Sequence, residues 1–505
     1  MKRTDGAPSA FHNARAIATL GLGQALALVA GLLRWKIIAV LLGPVGVGIV
    51  GLLDQIAQVV LQVGSMSLPT VALRFLGIAH HDNPAMFGRL YRGFLLAVLT
   101  GGTLAASATL GFFLVWPAFF GSGLEPYRVP LSIALFVVPL TGAANLMRNA
   151  LATLGRHRDT ALAMGVSAVG LAAAAFFGVR WGGIPGLYTA TFGASALVAV
   201  LLDWVLRRDP RVKSGGDAVR PLAYLRSQAG VLRYSATLCV VGFTVPLSYT
   251  VLRSSVLETL GPAHAGYLAA ALTIATGARA VFTQASSQFL MPRASRAAPK
   301  SERVAEVGGY LKTLLVAMLI AALPVALFPG EILRVLFTVK FVPAAVFLGL
   351  FVLGEMMMAF GDAYRILLLG FDDLRGYLAT TVTAPAVVML GAAAVVARFG
   401  ILGLGVLHMA AAVLGLVMSQ LRLRRRHGTS TIGQLMTRYS MMIALVGAAI
   451  ALGAMAPEPA LRTWSWKLAA GMLFAGAGIG MLPAPERAAL RRFLPVRSAG
   501  DSPPR

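Results

Sequence analysis

Apolar residues run along this chain in unbroken stretches of about 20 or more, separated by short polar turns, and nowhere alternate with polar ones over a strand's length. A helix of that length crosses the ~30 Å hydrocarbon core of a bilayer, whereas a spanning strand needs only about 10 residues with alternating faces. The runs predict spans at 14–42, 46–76, 90–115, 130–154, 160–180 and 184–206, followed by a polar stretch over 207–227. Six more are predicted at 230–258, 264–291, 307–329, 343–369, 375–397 and 401–421, and two at 435–455 and 464–482. The expected fold is all-α, a polytopic transmembrane helical bundle. The first run is too long for a cleaved signal peptide, and Arg34 and Lys36 interrupt it.

The pattern repeats. Leu42-Gly43-Pro44 with Gly46 and Gly48 recurs as Leu260-Gly261-Pro262 with Gly266, at an offset of 218. Leu33-Arg34 recurs as Leu252-Arg253 at 219, and Gly183-Ile184-Pro185-Gly186-Leu187 as Gly400-Ile401-Leu402-Gly403-Leu404 at 217. Arg148 and Arg365 also differ by 217. Six spans per repeat is an even number, so both copies enter from the same side as parallel repeats. The expected organisation is two six-helix lobes around a central cavity, at 1–228 and 229–428. Residues 429–505 then add the last two spans and a tail.

Composition agrees: of 505 residues, 57% are hydrophobic and 12% charged, about half the charge of a soluble domain. A soluble enzyme and a disordered scaffold are excluded. The net charge of +25 invites comparison with nucleic-acid binders, but the basic residues gather in short loops, such as 207–213, 292–303 and 422–428. That is the positive-inside pattern of a membrane protein with both termini cytoplasmic, and no nucleic acid is expected as a partner. The outward loops are too short for a catalytic domain. No lysine follows a glycine, so no P-loop exists. Cys239 stands alone, and His80-His81 lacks further ligands at metal spacing, so neither a metal nor a cofactor is expected.

The informative charges lie inside the apolar runs. A cation at a lipid-facing helix centre costs about 2.5–3.5 kcal/mol on insertion scales. Arg74, Arg233, Lys312 and Arg438 sit where snorkelling from a span end relieves that cost. Arg34, Lys36, Arg148, Arg253, Arg279 and Arg365 are the candidates for lining a wet cavity. Acidic counterparts are fewer: Asp54, Glu355 and Asp362, which are also the candidate proton or cation carriers. Asp362 precedes Arg365 by three residues and shares its helix face. His408 reads as a satisfied core histidine, and Asp372-Asp373 as a solvated turn. A surplus of arginine suits an anionic ligand, because the guanidinium fork matches phosphate oxygens.

Some segments resemble a known family. Lys36-Ile-Ile-Ala-Val-Leu-Leu-Gly43-Pro44-Val-Gly46-Val-Gly48 is similar to the first-hairpin signature of Wzx-type oligosaccharide flippases, within the multidrug/oligosaccharidyl-lipid/polysaccharide exporter superfamily. Thr244-Val-Pro246-Leu-Ser-Tyr249-Thr-Val-Leu-Arg253 resembles the seventh helix of the lipid III (enterobacterial common antigen) branch. Phe289-Leu-Met-Pro292-Arg293, Leu336-Phe-Thr-Val-Lys340-Phe341 and Gly361-Asp362 followed by Arg365 are similar to that branch too. The resemblance covers about residues 14–425. It implies flipping of undecaprenyl-diphosphate-linked oligosaccharide repeat units to the periplasmic leaflet by alternating access, for O-antigen or exopolysaccharide assembly, without enzymatic chemistry. Lys36 and Arg253 fall on matching motif positions of the family's basic cavity. Implied partners are the lipid-linked oligosaccharide, the bilayer, a polysaccharide polymerase with its chain-length machinery, and a coupling proton or cation. The last two spans depart from the twelve-span pattern and match the fourteen spans of lipid II flippases. That alternative stays open, as does a cation-coupled drug exporter. A membrane glycosyltransferase would need clustered carboxylates in a sizeable loop, which the sequence lacks.

Overall fold

The computed structural model describes residues 10–82, 84–116, 122–213, 229–294 and 299–428, and all its regular elements there are helices. The α-helices in chain order are α1 (Ala10–Ser65), α2 (Leu68–Asp82), α3 (Pro84–Val115), α4 (Arg128–Thr153), α5 (His157–Arg207) and α6 (Pro210–Lys213). They continue as α7 (Ala229–Leu260), α8 (Pro262–Ala294), α9 (Lys300–Leu327), α10 (Pro329–Leu336), α11 (Ala345–Gly370) and α12 (Leu374–His427). Two 3₁₀ turns, Ser122–Tyr127 and Val339–Ala344, precede α4 and α11. The expected spans at 435–455 and 464–482, the whole of 429–505, and loop residues 214–228 lie outside the described residues.

Helices α1, α5 and α12 have 56, 51 and 54 residues, far more than the ~20 that one crossing needs. Each is two spans joined across a glycine in the left-handed region: Gly43 (φ 65°), Gly183 (φ 59°) and Gly400 (φ 62°). Gly261 (φ 87°) does the same between α7 and α8. A Cβ disfavours that conformation, so glycine marks each break, and Pro44 and Pro262 then start the next helix where the missing N–H costs nothing. Among the described residues, seven helices are long and apolar enough to cross a membrane, and apolar side chains such as Leu104, Trp181 and Leu390 stay more than 70% exposed on them. Exposure of that kind belongs on lipid-facing helices. This is a multi-pass membrane protein.

The repeat is visible in the elements themselves. The two 3₁₀ turns are offset by 217 and carry Pro126 and Pro343 at the same place. Helices α4 and α11 are offset by 217 at both ends, and α5 and α12 at their starts. Arg156, just before α5, donates to the Val205 carbonyl at 3.2 Å near that helix's far end. The positions 217 residues on, Asp373 and Arg422, form an ion pair at 2.8 Å.

The helices form two compact units. One comprises the described residues up to Ala270 with Leu333–Ala344 and Pro385–Leu407. Its interior includes Phe75, Phe87, Tyr91, Phe94, Leu146 and Leu202, while α5 packs on α1 and α4. The other comprises Ala271–Ile332, Ala345–Ala384 and the described residues from His408 on, and α11 is buried along most of its length there.

Two expectations change. The second span, expected to run unbroken over 46–76, breaks at Met66 and Ser67, both with positive φ (49° and 55°). The Ser67 hydroxyl donates to the Leu238 carbonyl of α7 at 3.3 Å, which anchors the bend. Nor are both aspartates of the turn before α12 solvated. Asp372 is exposed, but Asp373 is buried and caps α12 by accepting from the Gly376 amide at 3.0 Å. It also receives both arms of Arg422 at 2.8 and 3.0 Å. The hydrogen bonds from Arg422, followed by that of the Gly376 amide, outweigh burial and pull the Asp373 carboxyl down to about 2.

Candidate functional site

In the first unit, charged side chains meet where α1 and α7 face each other. Arg34, before the α1 break, pairs with Asp54, after it, at 3.0 Å. The Tyr188 hydroxyl of α5 donates to the other Asp54 oxygen at 2.9 Å. Arg253 of α7 is buried, donates to the Gly51 carbonyl, and interacts electrostatically with Asp54 and Tyr249. A methyl on Gly51 would lie 2.9 Å from an Arg253 terminal nitrogen, so glycine leaves the guanidinium its room.

Two guanidiniums therefore share one carboxylate, and the cluster carries a formal surplus of one positive charge. Among the described residues, the Nε atoms of Arg34 and Arg253 are buried without hydrogen-bond partners, and a buried donor left so costs about 1–3 kcal/mol. An oxyanion entering here would find charge and donors together. Glu258, the nearby carboxylate on α7, is exposed, and among the described residues no ion pair joins it to Arg253.

The structure does not bring every candidate here. The Lys36 ammonium donates to the Val335 carbonyl and makes no described contact with Arg34, Asp54 or Arg253. Arg148, on α4, donates to the Asn145 side chain and, at 3.5 Å, to the Ser167 hydroxyl.

In the second unit, Arg279 of α8 reaches Glu355 at 3.1 Å and Asp362 at 3.0 Å, both on α11. Arg365 also binds Asp362, as its i,i+3 spacing on α11 suggests, and donates to the Thr380 carbonyl at 3.4 Å. His408 of α12, buried beside the Phe351 ring, meets Glu355 at 3.0 Å. Two arginines thus balance two carboxylates. Burying unpaired ions would be costly, and this network avoids it. Of the cations expected to snorkel, the side chains of Arg74, Arg233 and Lys312, and Arg438 entirely, lie outside the described residues, as do the side chains of His80 and His81.

Tyr188 and Gly51 are members of the first cluster that sequence reasoning does not find. Tyr188 lies 134 residues from Asp54, and only the packing of α5 on α1 joins them. Nothing in its apolar surroundings in sequence distinguishes it. Gly51 carries a faint signal, since it continues the glycine-rich stretch of Gly43, Gly46 and Gly48 by one further residue of the same kind.

No family model matches the chain. It is 24% identical over 393 residues to the lipid III flippase of Escherichia coli (strain K12), covering 75% of this chain and 91% of that protein. The lipid III flippase of Shigella flexneri matches equally. Among solved structures, the lipid II flippase MurJ in an inward closed conformation has a TM-score of 0.66 at 12% identity, over 95% of this chain and 99% of that one. An inward-facing multidrug resistance transporter of the MATE family gives 0.64 at 15% identity, over 82% and 99%. With its all-helical repeat, the chain has the fold of MOP-superfamily transporters and resembles the lipid III flippases within that superfamily.

Proposed function

We propose that this protein flips an undecaprenyl-diphosphate-linked oligosaccharide from the cytoplasmic to the periplasmic leaflet of the inner membrane, by alternating access between two repeats of six spans. The observation that carries this reading is the cluster of half-buried Arg34 and Asp54 with buried Arg253, two guanidiniums for one carboxylate. A diphosphate cannot cross hydrocarbon without a counter-charge. Arg34 exchanges Asp54 for the incoming oxyanion, while Arg253 offers the donors that Gly51 does not use. The polyprenyl tail stays in lipid, no covalent bond breaks, and no enzymatic step is needed. The similarity to lipid III flippases supports a lipid-linked substrate.

Asp54, Glu355 and Asp362 are the carboxylates able to exchange a proton or cation during the cycle, and a polysaccharide polymerase with its chain-length machinery is the downstream partner. The basic loops support cytoplasmic termini. The 95% coverage of the match to MurJ, against 82% for the MATE transporter, favours lipid II as the second substrate reading. A cationic drug is disfavoured by the charge of the cluster.

The test is deletion of the gene followed by mass spectrometry of lipid-linked oligosaccharides, with leaflet assignment by accessibility to an impermeant reagent. An intermediate trapped in the cytoplasmic leaflet supports the proposal and identifies the sugar. An unchanged lipid pool overturns it.

A further inference from the structure

The repeat places the same hydrogen bond in both copies and gives it opposite electrostatics. On α11, Arg365 donates through Nη2 to Oδ1 of Asp362, three residues earlier. On α4, 217 residues before, Arg148 donates through Nη2 to Oδ1 of Asn145. Asn145 and Asp362 are themselves 217 apart. The geometry is shared between the copies, while the carboxylate has become an amide.

The consequence is a charge left standing. Arg365 belongs to a balanced network with Asp362, Glu355 and Arg279. Arg148 has only the neutral Asn145 and, at 3.5 Å, Ser167, and among the described residues it has no carboxylate partner. An amide oxygen orients the guanidinium as a carboxylate oxygen does, without cancelling its charge. The side chain is thereby aimed but not neutralised.

Its position is separate from the Arg34–Asp54–Arg253 cluster. Arg34 lies nine residues before the Gly43 break, about 13 Å at 1.5 Å per residue. Four spans alternate in direction from Ala10 to Thr153, so the α4–α5 turn is at the opposite face from Gly43. Arg148 is five residues before the end of α4, and about 30 Å from the start of that helix. The two sites differ in depth by about 15 Å or more.

We propose that Arg148 is a second anion station on the translocation path, near the α4–α5 end of the first unit, and that Asn145 is the residue that keeps it open. The ligand class is a phosphate oxyanion, supplied either by the diphosphate of the transported lipid or by the headgroup of a bilayer phospholipid. The inference rests on the proposed anionic substrate and extends it. The anion is handed between stations at two depths on one unit, while the matching station of the other unit is closed by Asp362.

The test measures binding of farnesyl diphosphate to the full-length protein in phosphatidylcholine nanodiscs by calorimetry. Asn145→Asp changes the charge and hardly the shape, and it recreates the pairing seen at Arg365. Both it and Arg148→Gln are expected to weaken binding about ten- to hundred-fold, the scale of one lost charge-assisted contact. If neither changes binding while Arg253→Met weakens it, this inference is overturned and the proposed function stands. If none of the three has an effect, both fall. Should Asn145→Asp misfold, Arg148→Gln alone carries the test. Repeating it in phosphatidylglycerol nanodiscs, whose headgroup phosphate lacks the choline counter-charge and so competes for the station, separates the sources. An effect that persists supports the diphosphate, and one that vanishes supports occupation by a headgroup phosphate.

Discussion

Removing the Arg253 guanidinium takes away the charge that makes the first cluster net positive. Arg253→Met keeps much of the side chain's volume, so the packing beside Gly51 is largely retained while Arg34 and Asp54 are left to balance each other. The loss is one charge-assisted contact to the ligand, about 1.5–3 kcal/mol, which is roughly ten- to hundred-fold in affinity. Arg253→Lys keeps the charge as a point without the fork, and is expected near the lower end of that range. The assay is transbilayer movement of a fluorescent undecaprenyl-diphosphate lipid in proteoliposomes, with melting temperature as the control for folding. Full transport by Arg253→Met would refute the reasoning outright. So would rescue by adding Asp54→Asn, because that would show Arg253 serving only to balance Asp54.

Other parts of the structure give sharp expectations. Gly266→Ala places a methyl against the Pro44 backbone, a neighbour that cannot rotate away. It should therefore destabilise the protein by about 1–3 kcal/mol, the usual cost of overpacking, and an unchanged melting temperature would show that the close approach is unnecessary. The Asp373 carboxyl is held down to about 2 by the hydrogen bonds of Arg422 and the Gly376 amide. A depressed carboxyl stabilises the fold above its unfolded value near 3.9 and loses that contribution as pH falls toward 2. The Asp373→Asn variant should accordingly be less stable than wild type at pH 7, by about 1 kcal/mol after solvent screening, and the gap should close towards pH 2. A constant gap across that range would contradict the assignment. In a background without Cys239, cysteines at Ser214 and Ser502 should resist an impermeant thiol reagent in intact spheroplasts, and labelling of either would reverse the orientation.

The boundaries of the spans were legible because glycine and proline act locally. Gly43-Pro44, Gly183, Gly261-Pro262 and Gly400 each punctuate an apolar run whether or not anything packs there. The bend at Met66–Ser67 was not read, since its anchor is the Leu238 carbonyl on another helix, although Gly64 and Pro69 flanked it. The intramembrane charges were legible one by one, and the Asp362–Arg365 pair followed from helical spacing. What sequence could not give was the partition among them. That Arg279 and Arg365 are balanced by Glu355 and Asp362, while Arg253 faces a backbone carbonyl, depends on contacts across 76 to 202 residues. The contrast between Asn145 and Asp362 lay within reach of the 217-residue offset, but its meaning needed both hydrogen bonds in view.

Where α1 meets α8, the added Cβ of Gly48 would strike the Pro262 carbonyl, and that of Gly266 the Pro44 carbonyl. Pro44 and Gly48 are the counterparts of Pro262 and Gly266 in the repeat, so each copy touches its twin through the same residues. A symmetric dimer has an interface of this kind, in which residue i meets j and j meets i. Here it is held within one polypeptide. In a dimer, any substitution strikes both sides of the axis at once, but in a fused chain the two sides change separately. Gly48 and Gly266 then behave as one energetic unit, because a methyl on either already holds the backbones apart. The second methyl therefore adds little to the cost of the first. The same independence is what allowed one copy to keep a carboxylate beside its arginine while the other carries an amide.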